Sequence, residues 1–150
     1  MIAFLTLGGG FLLAVIWMDL MFDVQALRGP RGEVLPEAAL ASIAAYYRRV
    51  TSEARPMNLL IGAVMIATVL GTVVVLFRGA APVGWRVAAL ALLVVPVVLA
   101  QRRVFPNAQR LGARSDSPEQ QSALAREIAR AHVGCFAAML GFVALQLFAG

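Results

Sequence analysis

Asp19 is the one carboxylate that lies clearly inside an apolar run of this 150-residue chain, and His132, about one turn inside another run, is the only histidine. Asp23 follows Asp19 by one helical turn and shares its face with Gly8, Leu12 and Val15, by the 100° per residue count. Ionisable groups within lipid are costly, so they face the interior and find partners. An Asp–His pair there could act as a general base or a metal ligand. Asn58 stands at the mouth of the second apolar run, Gln101, Arg102 and Arg103 close the third, and Arg130 opens the fourth. With Asn107 and Arg110 just beyond the third run, these residues are expected at one end of a bundle. They would form a pocket with an apolar ceiling and a polar floor, suited to an amphiphile with an anionic head or to a hydrophobic aromatic compound. The competing reading is topological: the arginines anchor the chain in the interface, and Asp19 with Asp23 neutralises one or two of them.

Other chemistries lack their residues. Di-iron bundles need Glu-x-x-His pairs, which do not occur, and haem with two histidine ligands is excluded by count. Asp19, Asp23 and His132 could make a facial triad only through a geometry that sequence does not reveal, so no metal is assigned. Met18, Met21, Met57, Met65 and Met139 are scattered and read as core filler. Cys135 is alone, which rules out an internal disulfide or a CxxC pair. Gly8, Gly9 and Gly10 follow no strand and make no phosphate loop. No cofactor is specified, and whether the chain is an enzyme is left open.

The elements that must position these residues are four apolar runs, at about 2–22, 57–77, 83–104 and 128–148. Each has about 20 residues, enough to cross a hydrocarbon core as a helix, and in lipid the backbone must satisfy itself internally. The composition is 61% hydrophobic with a mean hydropathy of +0.81. A soluble domain of this size could not cover its surface with so few polar groups. The expected fold is all-α, a single four-helix transmembrane bundle. The first run has no positive segment before it and no small-residue cleavage site before Asp19, so it reads as a retained span.

All 13 basic residues are Arg, against 8 acids, for a net charge of +5. Arg28, Arg31, Arg48, Arg49 and Arg55 lie between the first two runs, and Arg102, Arg103, Arg110, Arg114, Arg126 and Arg130 lie around the third loop. Only Arg78 and Arg86 flank the second loop. The positive-inside rule then places the first and third loops in the cytoplasm and both termini outside, in the inner or plasma membrane of a bacterium, with Trp85 at the outer interface. The partners implied are the lipid bilayer and a membrane-protein neighbour or a second copy. Nucleic acid is not one, since the charges sit beside spans without a DNA-binding motif.

Within the first loop, Arg28-Gly29-Pro30-Arg31-Gly32 is a turn signal. Leu40, Ile43, Tyr47 and Val50 then recur at helical spacing and predict an amphipathic helix on the cytoplasmic surface or under the bundle. Pro56 suits a first helical turn or a kink in one long helix. Ser117-Pro118-Glu119-Gln120 reads as a helix start that runs directly into the fourth span. Pro96 predicts a kink in the third. Small residues suggest where backbones approach: Ala131, Gly134, Ala138, Gly141 and Ala144 in the fourth span, Ala63, Ala67 and Gly71 in the second, and Gly8 to Gly10 in the first.

The stretch VFPNAQRLG, followed after a polar linker by REIARAHVGCF, resembles the anthrone-oxygenase-like family of small four-span membrane proteins. Members share a Pro-Asn segment after the third span and a His early in the fourth. Pro106, Asn107, Leu111 and His132 stand at those positions, while Val133-Gly134-Cys135 stands where an Arg often follows the His. The resemblance implies oxygenase chemistry on a lipophilic aromatic compound. The chain is also similar in architecture to the membrane-associated eicosanoid and glutathione metabolism family, which has four spans and an Arg-rich cytoplasmic site. Three functions are carried forward: an accessory or structural subunit of a membrane complex, a membrane oxidoreductase acting on an aromatic or quinone-like compound, and an amphiphile-binding or transport module.

Overall fold

A computed structural model describes residues 1–28, 30 and 32–148. The chain forms α1 (Ile2–Leu27), α2 (Glu37–Arg48), α3 (Arg55–Arg78), α4 (Val83–Leu99), α5 (Phe105–Ala113) and α6 (Pro118–Phe148), with no strand among the described residues. Gly29 and Arg31, two of the five residues of the turn signal in the first loop, lie outside the described residues. Four helices are long and apolar enough to cross a membrane: α1, α3, α6, and the continuous helix Val83–Ala113 that contains α4 and α5. This is an all-α integral membrane protein.

The four long helices form a closed ring in which α1 adjoins α3 and α6, and α4 adjoins α3 and α6, with no close backbone approach across either diagonal among the described residues. Of the most apolar stretch of each, only 17–28% is buried. The rest, including Leu7, Leu59, Leu70, Val95 and Leu140, faces outward. That share suits helices solvated by lipid rather than water, since lipid tails match their apolar side chains.

Two apolar cores stack along the ring. Leu5, Leu12, Ala89, Leu93, Met139 and Phe142 fill its middle. The second core lies at the end opposite the termini, where Leu40, Ile43 and Tyr47 of α2 meet Ala108 and Leu111 of α5 and Ile128 of α6. The amphipathic helix therefore packs under the bundle. Its stripe is buried except for Val50, which is half-buried. Gly112 permits this docking, because a Cβ there would lie 2.8 Å from the Arg48 backbone nitrogen.

Two π-helical turns interrupt the ladders at this end, Arg49–Glu53 after α2 and Ala100–Val104 before α5. Ala54 breaks the first helical path, and Pro56 occupies the first turn of α3, where its missing N–H costs nothing. The third helix does not stop near residue 104. It continues through the second π turn to Ala113, with Pro106 again in a first turn, and ends where Arg114 turns left-handed at φ 52°. Pro106 lies just past the π turn, where the altered ladder accommodates its missing N–H, so the helix runs on through it. Pro96 is buried inside α4, and the helix continues beyond it.

α6 begins at a reciprocal capping box. The Gln120 N–H donates to Ser117 Oγ at 3.4 Å, and the Ser117 N–H donates to Gln120 Oε1 at 3.2 Å. The helix then runs unbroken to Phe148. At the other end of the ring Arg86 Nη1 donates to the Leu76 carbonyl in the last turn of α3, where such carbonyls lack helical partners.

Four residues of the α6 small-residue stripe, Ala131, Ala138, Gly141 and Ala144, are half-buried, and a Cβ on Gly141 would meet Leu92 of α4 at 3.4 Å. Gly134 is exposed with open space around it, and the buried positions are His132, Cys135, Met139, Phe142 and Gln146. In α3, Ala63 is exposed, and Thr68, Gly71 and Thr72 are buried. Close approach of α1 and α3 is set by glycines on both helices: a Cβ on Gly71 of α3 would fall 2.9 Å from Leu5 Cδ2 of α1. A Cβ on Gly8 would fall 2.3 Å from Thr68 Oγ1, and one on Gly9 would fall 2.8 Å from the Phe142 ring. Gly10 meets nothing.

Candidate polar site

Between the two apolar cores lies a polar layer supplied by α1, α2 and α6. Helical spacing sets Asp19 and Asp23 on the inward face of α1, in line with Leu12 and Ala26. The same spacing turns His132 inward on α6, between Ala129 and Cys135. The antiparallel run of α1 along α6 brings the three to one level. Asp23 is wholly buried, His132 is 6% exposed, and the Asp19 side chain is 16% exposed.

The hydrogen bonds form a chain. Tyr46 donates its hydroxyl to Asp19 Oδ1 at 2.6 Å, and Tyr47 donates to Asp23 Oδ1 at 2.6 Å. The second oxygen of each carboxylate faces the imidazole. Asp23 Oδ2 is 2.6 Å from His132 Nδ1, and Asp19 Oδ2 is 3.7 Å from Nε2. The short Asp23 contact assigns the Nδ1 proton to donation toward that carboxylate. The Tyr47 hydroxyl also lies 3.5 Å from Nδ1. Tyr46 is held flat by stacking on Phe22, with ring centroids 4.1 Å apart.

The two tyrosines lie on α2, outside the spans. Burial, and after it the charge of Asp19, pushes the Tyr46 hydroxyl far above the ordinary phenol range. Burial and the charge of Asp23 do the same to Tyr47. Both remain hydrogen-bond donors.

The arginines expected on the floor are elsewhere. Arg103 and Arg130 are exposed, and Arg110 is exposed and pairs with Asp116 at 3.0 Å. Neither Asp19 nor Asp23 has an Arg within 4.0 Å among the described residues. The reason is desolvation: a guanidinium at these helix ends keeps its hydration by pointing outward. Asn58 and Asn107 are half-buried and make no side-chain hydrogen bond to the cluster among the described residues. Of the residues expected to line one pocket, Asp19, Asp23 and His132 come together, in a hydrogen-bonded layer with Tyr46 and Tyr47. The two best-formed surface depressions lie apart from it, one between Ile2 and Leu147 at the termini and one between Gln25 and Arg126.

Tyr46 and Tyr47 are the partners that the sequence reading missed. A signal existed in Tyr47, which sits in the apolar stripe with Leu40 and Ile43. A hydroxyl on a buried stripe requires an acceptor. As for metal chemistry, both imidazole nitrogens face carboxylates, and no group of three ligating side chains among the described residues is arranged to hold an ion. Comparison of the chain with protein-family models, with curated proteins and with solved structures finds no match.

Proposed function

We propose that this integral membrane protein is an accessory or structural subunit of a membrane complex, lying in the inner or plasma membrane of a bacterium with both termini extracytoplasmic. The observation that carries this reading is the mutual pairing of Asp23, His132 and Tyr47 within the polar layer. The oxygens of Asp23 and the Nδ1 of His132 are spent on one another and on Tyr47, and their side chains lie buried between the two cores. Such a layer clamps α1, α2 and α6 in one register, a role attested for buried polar groups. Outward glycines support a neighbour. A Cβ on Gly10, Gly62 or Gly134 would meet nothing within 4 Å. Bare backbone on a lipid-facing helix admits close approach of another membrane helix.

The test is a photo-crosslinking residue placed at Gly134 or Gly10 and, as an inward control, at Phe142, in native membranes. The expected result is a discrete adduct with another membrane protein, or with a second copy, from the outward positions only. Absence of such adducts, together with retention of a small lipophilic compound that depends on Asp19, would replace this reading with the oxidoreductase one. That second reading rests on the family resemblance around His132 and on the partial exposure of Asp19 beside exposed Met18 and Trp17.

A further inference from the structure

The polar layer contains one contact that its hydrogen bonds leave unresolved. With the Nδ1 proton given to Asp23, the Nε2 of a neutral His132 is an acceptor, and it faces Asp19 Oδ2 at 3.7 Å. An acceptor lone pair then confronts a carboxylate in a desolvated layer, which is unfavourable unless one side carries a proton. We infer that Asp19 and His132 Nε2 form an exchangeable proton-binding site, with Asp23 and Tyr47 locking the imidazole and Tyr46 positioning Asp19.

The charges support this assignment. Asp19 and Asp23 with a neutral imidazole would place two negative charges in the layer, without an Arg to balance them. Uptake of one proton from water reduces that net charge from two negative units to one. The proton resides on Nε2, giving an imidazolium between two carboxylates, or on Asp19 Oδ2, giving a neutral acid beside neutral imidazole. No other bond forms or breaks. Asp19 is the route of exchange, because its side chain is 16% exposed and that of Asp23 is wholly buried.

The neighbouring elements offer no rival group in contact. On α2, Tyr46 and Tyr47 touch the carboxylates, whereas Arg48 points to Glu53 at 3.3 Å and Glu37 to Arg114 at 2.9 Å. On α6, Arg126 reaches the Pro30 carbonyl, Glu119, Glu127 and Arg130 are exposed, and Cys135 is buried one turn beyond His132. On α3, Arg55 and Arg78 are exposed at the two ends. The inference concerns the same residues as the clamp but does not depend on the existence of a partner subunit.

Because the chain has one histidine, ¹⁵N-histidine NMR of the full protein in lipid nanodiscs reads this site alone. The expected result is an Nδ1 that stays protonated while Nε2 responds to pH. In Asp19→Asn that response is displaced by about one pH unit or more, and in the exposed Arg130→Gln it stays in place. An Nε2 signal that does not change with pH in the native chain would overturn the proposal, whatever the variants do. So would an equal displacement in both variants, which would mark a general field rather than a paired site.

Discussion

At the residue scale, the layer's geometry makes hydroxyls and carboxylates interdependent. Removing the Tyr47 hydroxyl leaves Asp23 Oδ1 buried without a donor. Tyr47→Phe should therefore destabilise the protein by about 1–3 kcal/mol, measured by thermal or denaturant unfolding in mild detergent. Asp23→Asn and His132→Gln should be non-additive, with a coupling of about 0.5–3 kcal/mol. Additive effects would contradict the 2.6 Å contact. The two hydroxyls also predict an alkaline response. Both ionise less readily when folded than when unfolded, so the folded state holds more protons once the pH passes the ordinary phenol value of about 10. Their contribution to stability is complete below that value and declines as the pH rises beyond it. Tyr46 and Tyr47 are the chain's only tyrosines, so tyrosinate absorbance reports them directly. It should appear together with unfolding, and a normal phenol titration in the intact fold would count against the layer.

At the element scale, α1 is the helix on which the ring depends. Gly8 faces Thr68, whose branched side chain is fixed by a 2.7 Å hydrogen bond to the Val64 carbonyl and cannot easily yield. Gly8→Ala should cost about 1–3 kcal/mol by overpacking, and Gly9→Val should be at least as harmful against Phe142. Gly134→Leu on the open face of α6 should stay within about 0.5 kcal/mol in the isolated protein. Comparable melting temperatures for Gly8→Ala and Gly134→Leu would refute the place of Gly8 in the seam between α1 and α3. Gly134 was an attractive candidate in the sequence because it lies in a regular small-residue stripe. In the structure Gly141 of that stripe meets Leu92 while Gly134 is exposed, because the rotation of the helix about its axis turns one edge of the stripe toward protein and the other outward.

At the scale of the whole molecule, the two halves differ in how they are held. The ring near the termini packs apolar side chains in a narrow core, and the opposite end adds α2 and α5 as a cap. The excess of Arg in the first and third loops predicts that this cap is cytoplasmic. Ser115 is exposed between α5 and α6 and suits a labelling test. In a chain with Cys135→Ala and Ser115→Cys, a membrane-impermeant maleimide should react in inverted vesicles and not in intact cells. Reaction from the cell exterior would invert the topology and place the polar layer in the outer leaflet.

Several features were determined by the sequence alone. Run length and hydropathy gave the four spanning helices, since lipid demands about 20 apolar residues and an internally bonded backbone. Periodicity gave the amphipathic helix, and local chemistry gave the start of α6, because a Ser-Pro-Glu-Gln segment satisfies its own first turn. The inward face of Asp19 and Asp23 was also legible, being a matter of angle along one helix. The partners of those carboxylates were not. His132 is 109 residues from Asp23, and their meeting depends on how α1 and α6 are rotated and shifted against each other. Gly9 against Phe142 sets that approach, as Gly8 against Thr68 sets the approach of α1 to α3. The outward course of Arg103 and Arg130, and the entry of Tyr46 and Tyr47 in their place, likewise followed from tertiary packing. A buried carboxylate can be satisfied by whichever donor arrives with the smaller desolvation cost, and a phenol hydroxyl on a docked helix loses less hydration than a guanidinium.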